Sequence, residues 1–230
     1  MGIRLIGHGR AGGTPGRRRS WSPVGLGLAM LLCRLVLAVP AQAAVSPAER
    51  PAIDDAEAYL NAITTLQARF LQVAADGSTA EGTVYLKRPG AMRLEYDPPS
   101  PVLIIGTSSW LVYYDRQLDQ TSYLDIDKTP AAVLVSPKVQ LDAGDLAVTR
   151  VARPPGMLDI TVIHRGDPRG GSITLVFTRQ PFALRQWQVV DAQGQVTTVS
   201  LFDPHDGIAV SDDLFDLRKL PGANHSDADR

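Results

Sequence analysis

Cysteine is almost missing from this chain. Cys33 is the only one among 230 residues, so no disulfide framework can form within it. Acidic side chains are missing from residues 1–43, which carry six arginines (Arg4, Arg10, Arg17, Arg18, Arg19 and Arg34). Long apolar runs are missing too. The run Val24 to Leu32 is followed closely by Arg34, well short of the roughly 18 uninterrupted apolar residues that a transmembrane helix needs. There is no G-x-S-x-G nucleophile elbow, and without a glycine loop and lysine to cradle phosphate there is no recognised route to ATP hydrolysis.

What the first 43 residues do have is the order of an export signal. A basic stretch at Arg17–Arg19 precedes the apolar run, and Ala41-Gln42-Ala43 offers small residues for cleavage. The pair Arg18-Arg19 is compatible with a twin-arginine signal as well as with general secretion. The expected organisation is a signal peptide over 1–43, one domain over 44–220 and a disordered tail over 221–230, in a protein exported to a bacterial periplasm. Beyond residue 43 the chain holds 17 basic and 24 acidic side chains, a net charge of −7. That balance argues against nucleic acid as a partner, because a phosphate backbone selects clustered Lys and Arg.

The body reads as one helix followed by strands. From Pro51 to Phe70, Ile53, Ala56, Leu60, Ile63, Leu66 and Phe70 recur every three or four residues, predicting an amphipathic helix over the whole stretch. After Phe70 the period becomes two. Asp76-Gly77 marks a hairpin, and about eleven short segments follow, separated by turn residues. The pattern predicts a mainly β, α+β fold, an antiparallel meander of about eleven strands that curls on itself as a barrel or half-barrel. The break over 127–144 holds a short candidate helix, Pro130 to Val135. "VLII" and "WLVYY" show no alternation, which fits either a fully buried strand or an apolar cavity wall.

No catalytic constellation emerges, and no metal or cofactor is expected. His164, His205 and His225 are scattered without ligand spacing. "DPHDG" (Asp203 to Gly207) has the composition of a turn. In "YLKRPGAMRLEYDPPS", Lys87 reads as a solvated turn residue, whereas Arg88 offers a planar fork of donors.

The ordered set "YLNAITTLQARFLQ", "EGTVYLKRPGAMRLEYDPP", "WLVYYDRQLDQ" and "TPAAVLV" resembles the LolA family of periplasmic lipoprotein carriers. The resemblance is strongest over residues 56–141 and collinear to about 217. It implies an incomplete antiparallel β-barrel of about eleven strands with an α-helical lid, in a non-enzymatic, monomeric carrier that holds lipoprotein acyl chains in an apolar cavity. It also implies an inner-membrane ABC transporter as donor, and an outer-membrane acceptor or the outer membrane itself as recipient. The family arginine corresponds to Arg88, implied to latch the lid helix (Ala131, Val133, Leu134) through backbone carbonyls between Ala131 and Val135. The cavity is expected to be lined by Leu60, Ile63, Leu66, Phe70, Leu94, Leu103, Ile105, Trp110 and Val112. A lipid-sensing regulatory protein on the same fold is the alternative.

Overall fold

The computed structural model describes residues 45–220. The expected signal peptide and tail lie outside the described residues. Helix α1 (Arg50–Ala62) opens the domain with Pro51 in its first turn, where a missing N–H costs nothing. It buries Ile53, Ala56 and Leu60.

The helix is shorter than its apolar spacing predicts. It stops before Ile63, and the first strand, β1 (Thr65–Val73), begins two residues later. Leu66, Ala68 and Phe70 are buried along that strand in strict alternation. The reason is arithmetic: the four-residue step from Leu66 to Phe70 suits a helical face and is also an even number. Once β-branched Thr64 and Thr65 favour an extended chain, the same side chains stay on one face of a sheet.

Ten further strands follow: β2 (Thr79–Lys87), β3 (Ala91–Tyr96), β4 (Val102–Gly106), β5 (Trp110–Asp115), β6 (Gln120–Asp125), β7 (Leu146–Ala152), β8 (Met157–His164), β9 (Gly171–Arg179), β10 (Phe182–Asp191) and β11 (Val196–Asp206). All pairings are antiparallel. The order is β6-β5-β4-β3-β2-β1-β11-β10-β9-β8-β7. Two meanders are therefore joined by the β1–β11 pair, and the sheet stays open between β6 and β7. The β1–β2 hairpin turns at Asp76-Gly77 as expected, with Gly77 at φ 81° and the Asp76 carboxylate accepting from the Ser78 N–H at 2.9 Å.

The segment crossing from β6 to β7 carries a 3-10 turn (Ile126–Lys128) and the single-turn helix α2 (Ala132–Val135). It lies within the stretch where the sequence places a lid. "DPHDG" is not a free turn. Asp203 to Asp206 belong to β11, where Asp203 takes φ 47° and the register against β1 slips between Gln67 and Arg69. An extra residue in a bulge needs the same turn-forming side chains that a loop does.

The main core joins α1 and α2 to one face of the sheet. Phe70, Val84, Leu94, Ile160, Leu175, Phe177 and Trp187 pack with Ile53, Leu60, Val133 and Leu134. Tyr59 meets the edges of Phe177 and Phe182 at 6.0 and 5.7 Å. Among the described residues no helix is long and apolar enough to cross a membrane.

Candidate functional site

The open seam between β6 and β7 contains a cavity of about 460 Å³, inside the range of roughly 300–1,000 Å³ typical of small-ligand pockets. The crossing segment supplies one wall, with Pro130, Ala132 and Val133. Leu146, Val162, Ile163 and Ile173, from β7 to β9, supply the other. Alternation explains the apolar wall, since Val162 and Ile173 face each other in adjacent strands and point to the same side.

Arg88 holds the roof. Its Nη1 donates to the Leu134 carbonyl at 2.9 Å, and its Nη2 donates to the Ser136 carbonyl. Both acceptors lie at the C-terminal end of α2, where helical carbonyls lack partners of their own. Of the two acceptors, Leu134 lies within the expected range Ala131 to Val135 and Ser136 one residue beyond it. Among the described residues no carboxylate lies within ion-pair distance of Arg88. Burial pulls its guanidinium below the ordinary arginine value, with no nearby charge opposing the effect, although an arginine stays charged regardless. A half-buried cation balanced only by two carbonyl dipoles is a weak fastening, easily exchanged for water.

The neighbouring cation works on the other side of the sheet. Lys87 is not merely solvated: its Nζ donates to the Val210 carbonyl at 3.2 Å and pairs with Asp212. Arg93 Nη1 donates to the Leu214 carbonyl at 2.9 Å. Together they tie down the C-terminal segment. The basic corner therefore grips two covers, one on each face, because consecutive strand residues point oppositely.

Two side chains that the sequence reading passed over fix the far end of the roof. Asn61 Oδ1 accepts from the Val139 N–H and Asn61 Nδ2 donates to the Val139 carbonyl, each at 2.9 Å. Glu57 Oε1 accepts from the Leu141 N–H at 2.8 Å. Glu57 and Asn61 are four residues apart, polar neighbours beside the buried stripe of α1; that spacing was the available signal. Gly106 is a third such residue. A Cβ there would sit 3.2 Å from Val135 Cγ1 and 3.4 Å from Met92 Cε, so its bareness lets α2 lie close on the sheet.

The expected lining residues separate into two groups. Leu60, Ile63, Leu66, Phe70, Leu94, Val133 and Leu134 join the main core, with Ala131 packed against it. Of the expected residues, Val133 borders the cavity. Leu103, Ile105 and Val112 lie on the opposite face, in a second cluster with Tyr114, Leu217 and Leu220, and Trp110 packs against it. Their assignment to the roofed face is corrected by register. Leu94 pairs with Ile104, and Ile104 pairs with Tyr113, so the even-numbered side chains of β4 share the roofed face. Ile104 and Leu111 occupy it partly buried, and Tyr113 and Leu124 beyond them are 39% and 52% exposed. A strand without alternation hides this choice, and a one-residue slip reverses every side chain.

A family model described as "Outer membrane lipoprotein carrier protein LolA" matches residues 61–218. The chain is 28% identical over 185 residues to the outer-membrane lipoprotein carrier protein of Azotobacter vinelandii, covering 75% of this chain and 87% of that one. It is 28% identical over 174 residues to the carrier protein of Pseudomonas paraeruginosa, covering 72% and 82%. Among solved structures, a LolA superfamily protein of Nitrosomonas europaea aligns with a TM-score of 0.41 at 13% identity, covering 72% and 96%.

Proposed function

The chain belongs to the LolA family, and on that premise we propose that it is a periplasmic carrier that shields lipoprotein acyl chains from water between the inner and outer membranes. Each buried methylene is worth about 0.8 kcal/mol, so a lipid-modified protein leaves a membrane only if an apolar surface replaces it. The half-barrel offers that surface: the seam cavity, continued by the partly covered Ile104, Leu111 and Tyr113 on the roofed face.

The observation that carries the reading is the Arg88 fork. A cavity of about 460 Å³ suits one drug-sized apolar group, so holding the long chains of a lipoprotein requires the roof to move. Arg88 fastens the movable end with two hydrogen bonds, while Asn61 and Glu57 anchor the end that stays. Cargo inserts under α2, Arg88 exchanges carbonyls for water, and the cost of opening lowers net affinity. That cost lets the cargo leave for a bilayer. In this scheme loading is driven by a membrane transporter and unloading by the recipient membrane or an acceptor there; the carrier acts as a monomer and performs no chemistry.

The test is release from spheroplasts that make a tagged outer-membrane lipoprotein. Adding the purified protein should bring the lipoprotein into the soluble fraction as a one-to-one complex. If nothing is released while an authentic carrier succeeds in parallel, the function is wrong.

A further inference from the structure

The seam cavity stands open while the roof is shut. Both Arg88 hydrogen bonds, to the Leu134 and Ser136 carbonyls, are made. About 460 Å³ is nevertheless unfilled between the crossing segment and β7 to β9. The space directly under α2 is different. There Val133, Leu134 and Val135 are only 2–3% exposed and belong to the main core, so nothing enters without displacing them.

The unfilled space has a definite capacity. A methylene is close in size to a water molecule, whose share of liquid volume is about 30 Å³. A cavity of about 460 Å³ thus takes about fifteen such groups, which is one hydrocarbon chain and not two. Its walls suit a chain, since Pro130, Leu146, Val162, Ile163 and Ile173 are apolar. Ala132 lines it from α2 with a single methyl group, so the roof side takes up little of the volume.

We propose that the closed protein is a one-chain site. A lipid with a single acyl chain binds in the seam with Arg88 still latched, and a second chain enters only when the roof opens. Ala132 sets how long a chain the closed site takes. This rests on the acyl-binding reading above and deepens it by giving the chains an order of entry. The cavity is lined by three carboxylates (Asp125, Asp127 and Asp167) against one lysine, Lys128, which disfavours an anionic head. The ligand class is therefore a one-chain lipid with an uncharged or zwitterionic head. A dansylated fatty acid, whose naphthalene ring adds to its chain, exceeds the seam cavity and belongs with the two-chain lipids.

The experiment titrates the exported chain by calorimetry with phosphatidylcholines that differ in chain number, below their micelle concentrations. The one-chain probes are lysophosphatidylcholines from decanoyl to palmitoyl; the two-chain probes are dihexanoyl and dioctanoyl phosphatidylcholine. Lysolipid affinity should rise about fourfold per methylene and level off by about fifteen carbons, with one lipid bound per protein. A ligand that leaves the roof shut gains nothing from a weaker latch. Arg88→Leu should therefore change lysolipid affinity by less than about twofold while tightening the two-chain lipids about 5- to 150-fold. Ala132→Leu adds three carbons to the wall and should move the plateau about three carbons shorter. Ile163→Phe fills the space from β8 and should give the same shift, which keeps the test if Ala132→Leu does not fold. Lysolipid that fails to bind, or that tightens on Arg88→Leu in step with the two-chain lipids, would overturn the one-chain site while leaving the carrier reading intact. A plateau unmoved by both filling variants would place the chain outside the seam and overturn it likewise. No binding of either lipid class by any folded variant would remove the carrier reading as well.

Discussion

Replacing Arg88 by leucine asks how much of lipid affinity is set by the roof. The substitution deletes the two hydrogen bonds to the Leu134 and Ser136 carbonyls. A bond from a charged donor contributes about 1.5–3 kcal/mol. Part of that is offset here, because the guanidinium is half-buried without a carboxylate partner and gains hydration on release. A net contribution from Arg88 of about 1–3 kcal/mol to the closed roof, added to the packing of α2, is the reasonable magnitude. If only the open form takes up lipid, the apparent dissociation constant is the intrinsic one divided by the open fraction. Arg88→Leu should then bind a dansylated fatty acid about 5- to 150-fold tighter and hand it to acceptor vesicles correspondingly more slowly. Arg88→Lys should fall between, since a single ammonium cannot hold two carbonyls in the geometry of a fork. The assay is an equilibrium titration followed by stopped-flow mixing with vesicles, on variants whose thermal unfolding remains cooperative. A folded Arg88→Leu protein with parental affinity and parental transfer rate would refute the latch.

The other expectations follow from the same contacts. Gly106→Ala crowds Val135 and Met92 and should loosen the roof, seen as faster amide exchange over residues 132–136 and tighter lipid binding. Asn61→Ala strips both partners from the buried backbone of Val139 and should cost about 1–3 kcal/mol in urea unfolding. Leu103→Ala and Ile105→Ala open holes in the second cluster and should destabilise by about 2–5 kcal/mol with unchanged lipid affinity, whereas Ile104→Gln and Leu111→Gln should weaken lipid binding with small changes in melting temperature. Arg69, hydrogen-bonded to Asp97, holds that carboxyl below its usual range. The pair's contribution is therefore present above the ordinary carboxylate pKa and lost as pH falls through the lowered value. Arg69→Ala should return the Asp97 titration upward in a carboxyl-carbon NMR experiment.

How much of this could be read from residues alone depended on which physical rule each residue obeyed. Eleven strands were legible because nearly all are bounded by Gly, Pro or Asp turns, with Thr107 to Ser109 serving between β4 and β5, and local turn chemistry needs no knowledge of the rest of the fold. The contact of Arg88 with the α2 carbonyls was legible through the family motif. The end of α1 was not, because Leu66 and Phe70 satisfy helical and strand spacing alike, and only pairing of β1 with β2 and β11 decides between them. The wall residues of β4 and β5 were illegible for a related reason. "VLII" is apolar on both faces since one face meets the roofed core and the other meets Leu217 and Leu220. That second cover comes from a segment more than a hundred residues away, and composition cannot announce it. Lys87 was misread for the same cause, its partners Val210 and Asp212 being equally remote.

The distribution of fastenings around the roof bears on why a carrier would keep so weak a hold at one place. Asn61 grips Val139 with a matched pair of neutral hydrogen bonds, and Glu57 adds a third anchor at Leu141. These bonds tie the segment to α1, whose Ile53, Ala56 and Leu60 are sealed in the core, so releasing them would cost burial as well. Arg88 instead stands half-buried at the turn after β2, next to exposed Pro89, and fastens the segment through two backbone carbonyls. A roof anchored at both ends as it is at Val139 would resist opening more strongly; one without the Arg88 fork would be closed only by the packing of Val133, Leu134 and Val135 and, on the proposed reading, would retain its cargo longer. On the proposed reading the segment opens as a flap about Val139, and the free energy of opening combines re-exposure of Val133, Leu134 and Val135 with loss of the two Arg88 hydrogen bonds. On that reading affinity is tuned at Arg88 or Gly106 without touching the apolar walls, and control of release would lie outside the proposed lipid-holding surface.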